Sequence, residues 1–386
     1  MKFLYNTIRR ELRRMTSRTA YLFAMIVVPL GCTWFFLSLM SEGLPLKVPT
    51  AIVDLDHSSL SRQVTRSLDS EELIDITQDY NSYAEALAGV RRGEVFGFFL
   101  IPDGFEREAV SGRSPSLEYY SNMTYFVPGT LSFKGFKTMA VMSNAGMVKT
   151  QLTSIGATDS QTAALLQPVS FDTHAIGNPW TNYSIYLSPS FLFGVIALMV
   201  MLVTAFSITM EIKKHTGPEW LATAGDSIVI ATMGKLLPQT VIFTIIGWGI
   251  EAMLFGYFHF PMYGSLGVMI ATMPLYVMAN QAFALLVCSI MPNPRLALSI
   301  CSLISILAFS LAAFSFPVAS MYGALGVFSY ILPVRWYFLL YINEALMGAP
   351  LYYSRFMLMA LIAFPLIAML PLGLLKKALK SQVYVP

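Results

Sequence analysis

The chain has 386 residues, of which 55% are hydrophobic and only 12% charged, with a formal net charge of +3. An average soluble domain carries roughly 25% charged residues, so this composition excludes an ordinary soluble protein and points to the membrane class. The small net charge, with no basic run interleaved with aromatics, excludes binding to a nucleic-acid backbone. Cys32, Cys288 and Cys301 all fall in apolar runs and read as small membrane-embedded hydrophobes, which offers no disulfide framework. His57, His174, His215 and His259 show no ligand spacing, so no metal site is expected.

Residues 1–18 carry Leu4, Ile8, Leu12 and Met15 at helical spacing, with Arg9, Arg10, Arg13, Arg14 and Arg18 among them. That pattern predicts an amphipathic basic helix lying on an anionic leaflet. Residues 19–40 follow as a first span: Ala20 to Met40 is free of charge and long enough to cross about 30 Å of hydrocarbon. The run is too long for the core of a signal peptide and no cleavage site follows it, so an uncleaved span is expected.

Residues 41–186 form the one large polar region. Strand patterns at Val48–Val53, Leu73–Ile76, Val95–Ile101 and Ser116–Tyr120 alternate with helical ones at Leu60–Leu68, Tyr83–Arg91 and Phe105–Val110. Such alternation predicts an α/β domain with at least partly parallel strands. The pattern turns helical from Pro128 to Ile155, and Val169–Ile176 reads as a returning strand.

Residues 187–386 contain apolar runs at Leu187–Thr209, Leu236–Gly256, Gly264–Ile290, Leu296–Phe316 and Ser354–Leu375. With the first span they predict six crossings. The distribution of Lys and Arg places the N-terminus, the 210–235 loop, Arg295 and the Lys376, Lys377, Lys380 tail inside, and the short 257–263 connection and the 41–186 domain outside. The segment 317–353 is apolar but broken at Pro317, Gly323, Gly326, Pro333, Gly348 and Pro350, which suits two half-helices entering from the outer face. The fold class expected is therefore an α-helical polytopic membrane protein with six transmembrane helices and a re-entrant segment, plus an inserted α/β extracytoplasmic domain.

The stretch Met210 to Pro238 is the substantial polar island among the later spans. Thr216 or Gly217 as N-cap, Pro218 at the first helical position and Glu219 in the first turn start a short helix. Trp220, Leu221 and Ala224 share one side of it, and Gly225 ends it. A short amphipathic helix between two spans is shaped to be pushed by another protein; the alternative is a solvated connector.

Asp54-Leu55-Asp56-His57-Ser58-Ser59 closes a strand and is similar to the nucleophile loop of haloacid dehalogenase phosphatases. That chemistry also needs a distal lysine and an acidic pair for magnesium, and Asp69, Glu71 and Glu72 come too early in the chain. A strand-to-helix turn with Asp56 or Ser58 as cap is the preferred reading. The Gly234-Lys235 pair is followed by Leu236 rather than Ser or Thr, so the chain lacks a phosphate loop. If ATP drives this protein, a separate subunit must bind it. Glu251 lies about five residues from the outer end of its span, within reach of the interface. Asn280 and Gln281 lie deeper and suit interhelical hydrogen bonds worth about 0.6–2 kcal/mol each. A substrate path is the alternative role for all three. Arg335-Trp336-Tyr337 reads as an interfacial anchor.

Taken together, the chain resembles the permease subunits of type-2 ABC exporters, in the subgroup with a large extracytoplasmic domain between the first two spans. The basic N-terminal helix corresponds to the family's elbow helix. The outer-domain pattern appears as Ile52-Val53-Asp54-x-Asp56-x-Ser58-x-x-Ser61-Arg62, Gly93-Glu94-Val95-Phe96-Gly97 and Ile101-Pro102-x-Gly104-Phe105. Glu211 to Leu221 with Gly234-Lys235-Leu236-Leu237-Pro238 resembles the coupling loop, and Pro333-x-Arg335-Trp336 with Leu346-x-Gly348 precedes the last span. One departure is that Thr216 precedes Gly217, with Glu219 a residue sooner than usual.

The resemblance implies that Glu211, Gly217, Glu219, Trp220 and Leu221 couple to an ATPase, and that Asp54, Asp56, Ser58 and Arg62 belong to the outer-domain motif. It implies no cofactor on this chain, with ATP and magnesium on cytoplasmic ABC ATPase subunits. Further partners would be a second permease copy or paralogue, a periplasmic adaptor and an outer-membrane channel. The setting would be a bacterial inner membrane with both termini cytoplasmic, and the activity export of a drug-like, lipophilic or peptide substrate. A membrane-anchored receptor whose outer α/β domain binds a partner is the alternative.

Overall fold

A computed structural model describes residues 2–154 and 176–381 apart from Gly112, Ser114, Ala313 and Ser315, together with Gly156, Thr158 and Gln161; over 143–152 and at Ser154 it describes the backbone alone. The expected strand Val169–Ile176 lies, save its last residue, outside the described residues. The chain divides into two units, Leu44–His174 and the remainder, Met1–Gly43 with Ala175–Pro386. The division falls inside the expected 41–186 because the flanks belong with the spans. Tyr183 N donates to Gly43 O at 2.8 Å, and Asn182 caps the second span through Ser184 N at 2.7 Å.

The inserted unit holds a four-stranded sheet of β1 (Val48–Asp54), β2 (Ile74–Asp79), β3 (Gly97–Ile101) and β4 (Glu118–Ser121) in the order β2-β1-β3-β4. The central strand β1 runs parallel to β2 and β3, and β4 is antiparallel to β3. Because successive strand residues point to opposite faces, Ile52, Phe99 and Ile101 face one layer and Ala51, Val53 and Phe98 the other. The helices α3 (Ser59–Asp69), α5 (Phe105–Val110) and α6 (Phe126–Ser154) cover the first face, and α4 (Tyr83–Arg92) covers the second. Both faces are thus buried, as parallel strands require.

The second unit begins with α1 (Lys2–Thr16). Among the described residues, six helices are long and apolar enough to cross a membrane: α2 (Thr19–Leu39), α7 (Tyr183–Lys213), α9 (Ile228–Tyr257), α10 (Leu266–Ile290), α11 (Pro294–Leu311) and α14 (Leu351–Ser381). The polar island is shorter than its composition suggests, because both neighbours extend into it. Helix α7 runs on to Lys213 and so carries Glu211, while α9 starts at Ile228, where the Ser227 hydroxyl accepts from Ile230 N. What remains between them is α8 (Gly217–Thr223).

Two further helices, α12 (Gly323–Ser329) and α13 (Pro333–Leu346), meet at 80°. Contacts show that they enter and leave by the same face. Helix α8 packs on α14, and Asp226 pairs with Lys376 and Lys380, which puts the end of α14 beside α8. Between Asp226 and Lys376 the chain passes through α9, α10, α11 and α14, an even number of crossings that returns it to the same end. A full crossing by α12–α13 would leave α14 at the opposite end. At that opposite end, Tyr263 N donates to Ala345 O at 2.9 Å and Gly264 N to Glu344 O at 2.8 Å, tying the return of α13 to the α9–α10 connection.

A Cβ at Gly264 would overlap the Glu344 carbonyl oxygen, whereas one at Gly249 would meet nothing within 4 Å. Overpacking of this kind costs about 1–3 kcal/mol. Gly264→Ala is therefore expected to lower the thermal midpoint of the detergent-solubilised chain, and Gly249→Ala to leave it unchanged or raise it.

Candidate functional site

The elbow-like helix α1 meets the spans along Thr7, Glu11 and Met15, all buried, and leaves Leu12 exposed. The face packed on the spans is thus a largely polar one, distinct from the apolar line of Leu4, Ile8 and Leu12. Helix α1 lies directly on α9, where Gly234 has no side chain: a Cβ there would come within 2.6 Å of the Thr7 Cβ. That close approach lets Glu11 reach the buried end of α9. Lys235 Nζ donates to Glu11 Oε2 at 2.7 Å, and Gln239 Nε2 to Glu11 Oε1 at 3.2 Å.

Glu211, at the end of α7, is the hub. Its side chain is fully buried and takes Lys235 Nζ at 2.8 Å and Arg10 through both terminal guanidinium nitrogens, Nη1 at 2.7 Å and Nη2 at 3.1 Å. Arg14 and the Thr216 hydroxyl close the remaining positions, and Arg14 Nη2 also donates to Thr216 Oγ1 at 3.2 Å. A buried ion pair is stable only when nearly every lone pair and proton has a partner, and the two-pronged arginine bond supplies directional strength. Burial alone would lower the Arg10 guanidinium; the bonded Glu211 carboxylate outweighs it and holds the group above its ordinary value.

Helix α8 is held on this cluster. Trp220, Leu221 and Ala224 are buried, and Lys235 Nζ sits 4.6 Å above the Trp220 ring, a cation–π contact. Gly217 lies so near α14 that a Cβ would come within 2.7 Å of Leu379 O. Gly225 and Asp226, both at positive φ, end the helix as expected of a left-handed cap. Lys380 and Lys376 bond the Asp226 carboxyl and hold it below the usual carboxylate range. Among the residues expected to couple to a partner, Glu211, Gly217, Trp220 and Leu221 face inward. Glu219 is exposed, beside Pro218 and Ala222, with its Oε1 3.5 Å from Arg10 Nε.

The buried acid of α9 departs from its expected place. Glu251 is 2% exposed and accepts from the Tyr337 hydroxyl of α13, so it does not reach the interface. The re-entrant helix covers it, which a reading of single spans could not register. Tyr337 stacks on Tyr276 at 4.4 Å, and Asn280 Nδ2 donates to the Tyr276 carbonyl at 2.8 Å. Glu251 and Asn280 thus share one aromatic stack. Gln281 does not join it: Thr240 Oγ1 donates to its Oε1 at 2.7 Å, and its Nε2 donates to Leu236 O at 3.3 Å. That pair joins α10 to α9.

In the inserted unit, Asp54 Oδ1 accepts from Asp56 N and His57 N at 3.1 and 3.0 Å, and its Oδ2 accepts from Ser61 Oγ at 2.6 Å. Ser58 Oγ caps α3 through Ser61 N, Asp56 Oδ2 receives Glu106 N, and Arg62 holds the His57 carbonyl at 2.8 Å. The hydrogen bond from Ser58, with those from the start of α5, keeps the Asp56 carboxyl below its usual range. The arrangement is a closed, capped turn.

The family model described as ABC-2 family transporter protein matches residues 19–375. The chain belongs to this family. No curated protein matches the sequence. As an ABC-2 member, it is a multi-pass membrane permease subunit of an ABC transporter, a family that works with ABC ATPase subunits. Glu211 and Lys235 lie within the matched residues of this permease, whereas Arg10, Glu11 and Arg14 lie before them.

Sequence reasoning missed the pairing of Glu11 with Lys235, which it placed only in the coupling-loop pattern. It also missed Tyr276 and Glu344, the last of which accepts from Ser354 Oγ at 2.8 Å. Arg335 and Tyr337, read as part of an interfacial anchor, are instead buried. A signal existed for the pairing: Glu11 is the sole acid in residues 1–18, and Lys235 the sole cation between Ile228 and Tyr257. Removing one member of a buried pair costs about 3–5 kcal/mol. Lys235→Met is expected to lower stability by that order, because Glu11 loses its cation while Glu211 keeps two arginines. Adding Glu11→Gln should recover most of the loss in the same thermal unfolding assay.

Proposed function

We propose that this permease is the membrane-spanning part of an ATP-driven exporter, with α1, α8 and the end of α14 facing the cytoplasm and ATPase subunits seated on the exposed face of α8. The carrying observation is the two-sided build of α8. Its outer face is Pro218, Glu219 and Ala222, while its inner face is buried against α1, α7, α9 and α14. The Lys and Arg residues concentrated at this end support the cytoplasmic orientation, and hence N- and C-termini inside a bacterial inner membrane.

On this reading ATP and magnesium bind the partner, and closure of the ATPases pushes α8. Trp220 and Leu221 pass the load to the core, and Thr216 and Arg14 pass it through Glu211 to α1 and α9. Helices α7 and α9 then move with α1 as one block. With a second permease copy or paralogue, the second and fifth spans, α7 and α11, line the path of a drug-like, lipophilic or peptide substrate. The inserted α/β unit faces outward, where a periplasmic adaptor leading to an outer-membrane channel would dock. Glu251 and Asn280, on the Tyr276–Tyr337 stack, are the buried polar groups placed to sense a rearrangement of the re-entrant pair.

The test uses the outer face of α8 alone, because Trp220→Ala would empty a core site at about 3–5 kcal/mol and confuse folding with coupling. Glu219→Arg combined with Ala222→Trp should leave the thermal midpoint close to wild type. The same double variant should abolish co-purification of the ATPase subunits from mild detergent and cut transport-linked ATP hydrolysis at least tenfold. Undiminished ATPase retention and turnover would contradict the docking face.

A further inference from the structure

Arg335 occupies the first turn of α13, deep in the re-entrant pair, and is only 8% exposed. Its Nε and Nη1 are buried with no hydrogen-bond partner. No salt bridge reaches it among the described residues. The buried acids at this end bond elsewhere, Glu344 to Ser354 and Glu251 through Oε1 to Tyr337, while Glu251 Oε2 is buried without a hydrogen-bond partner and forms no salt bridge with Arg335. What faces the guanidinium is aromatic: its carbon lies 4.8 Å from the Tyr330 ring centroid and 5.8 Å from that of Trp336. Trp336 Nε1 donates to Tyr330 O at 3.0 Å, which fixes the turn carrying both rings.

A second feature points the same way. The N-cap of α13, Leu332, provides no side-chain hydrogen bond, and Pro333 has no N–H to spend, so the positive end of a fourteen-residue helix is uncapped beside the unpaired guanidinium. A helix N-terminus and a desolvated arginine both favour an anion, and a charge in the membrane needs a partner. Around this pole, Leu325, Val327 and Ile331 are exposed and apolar. We infer that Arg335, the N-terminus of α13 and the Tyr330 and Trp336 rings form a binding site for the anionic head of an amphiphile, whose apolar tail lies along α12. A carboxylate from a second copy is the competing partner. Glu219 and Asp226 sit at the opposite end, so within the membrane unit the exposed Glu42 is its source, and the inserted unit adds exposed acids such as Glu85 and Glu118.

The site does not rest on the exporter reading, and its test needs no ATPase. Full-length protein in neutral detergent is titrated with dodecyl phosphate, followed by calorimetry and by the part of the tryptophan emission that Trp336→Phe removes. Wild type should bind with a change in Trp336 emission. Arg335→Gln should bind at least tenfold more weakly, and Arg335→Lys, which keeps the charge without the fork, should fall between. Dodecyltrimethylammonium should leave the Trp336 signal unchanged. Inorganic phosphate at millimolar concentration should fail to compete; equal competition would assign the site to a free anion and overturn the amphiphile. No binding by wild type, as expected if a carboxylate of a second copy fills the site, or equal affinity in Arg335→Gln, would overturn the inference. Should Arg335→Gln not assemble, the wild-type titration and the Lys variant decide it.

Discussion

Everything at one end of the membrane unit depends on the burial of the Glu211 carboxylate. It has no access to water, yet it receives Arg10, Arg14, Lys235 and Thr216, donors from α1, from α9 and from the start of α8. Losing any of these partners exposes the rest to the cost of an unpaired charge in a poorly solvated place. The result is geometric as much as energetic. A helix that would otherwise lie loosely on a bilayer is fastened to two spans, and a seven-residue helix too short to be stable alone is held in one place.

That constraint explains why α8 has a rigid inner face and a free outer one. Apolar packing by Trp220, Leu221 and Ala224 resists compression, while the ion network resists sliding, since charge-assisted bonds are directional. At the opposite end two buried acids are held by hydroxyls rather than cations, Glu251 by Tyr337 and Glu344 by Ser354. Both acids meet the re-entrant pair, so α13 is anchored by polar contacts as well as by the Tyr276–Tyr337–Phe193 aromatic packing. In an ABC-2 permease, a broken segment of this kind can keep its place because protein surrounds its irregular backbone.

Much of this architecture was legible in the sequence. Long apolar runs of bilayer length, with at most one charge each, mark the six spans, and the alternation of strand and helix periods marks the inserted α/β unit. The start and stop of α8 were written in Thr216, Pro218 and Gly225. The network was not legible, because Glu11 and Lys235 are 224 positions apart and nothing local records a meeting between α1 and α9. The inward face of α1 was hidden for the same reason: periodicity shows an apolar line for a leaflet, but not that Thr7, Glu11 and Met15 pack on the spans. Glu251 was judged by its distance from a helix end, and the covering helix α13 was invisible to that measure. Local rules describe elements well; they do not describe which polar residues two elements will satisfy for each other.

The account centres on α1, α7, α8 and α9 behaving as one block locked by Glu211. The direct measurement is the distance between spin labels at Arg9→Cys, an exposed position, and Thr223→Cys, half-buried at the end of α8 and outside the docking face, in the transporter assembled with its ATPase subunits. The account predicts the same narrow distance distribution with and without ATP. A shift or broadening on adding ATP, with Glu211 intact, would show α8 moving against α1 and would contradict it.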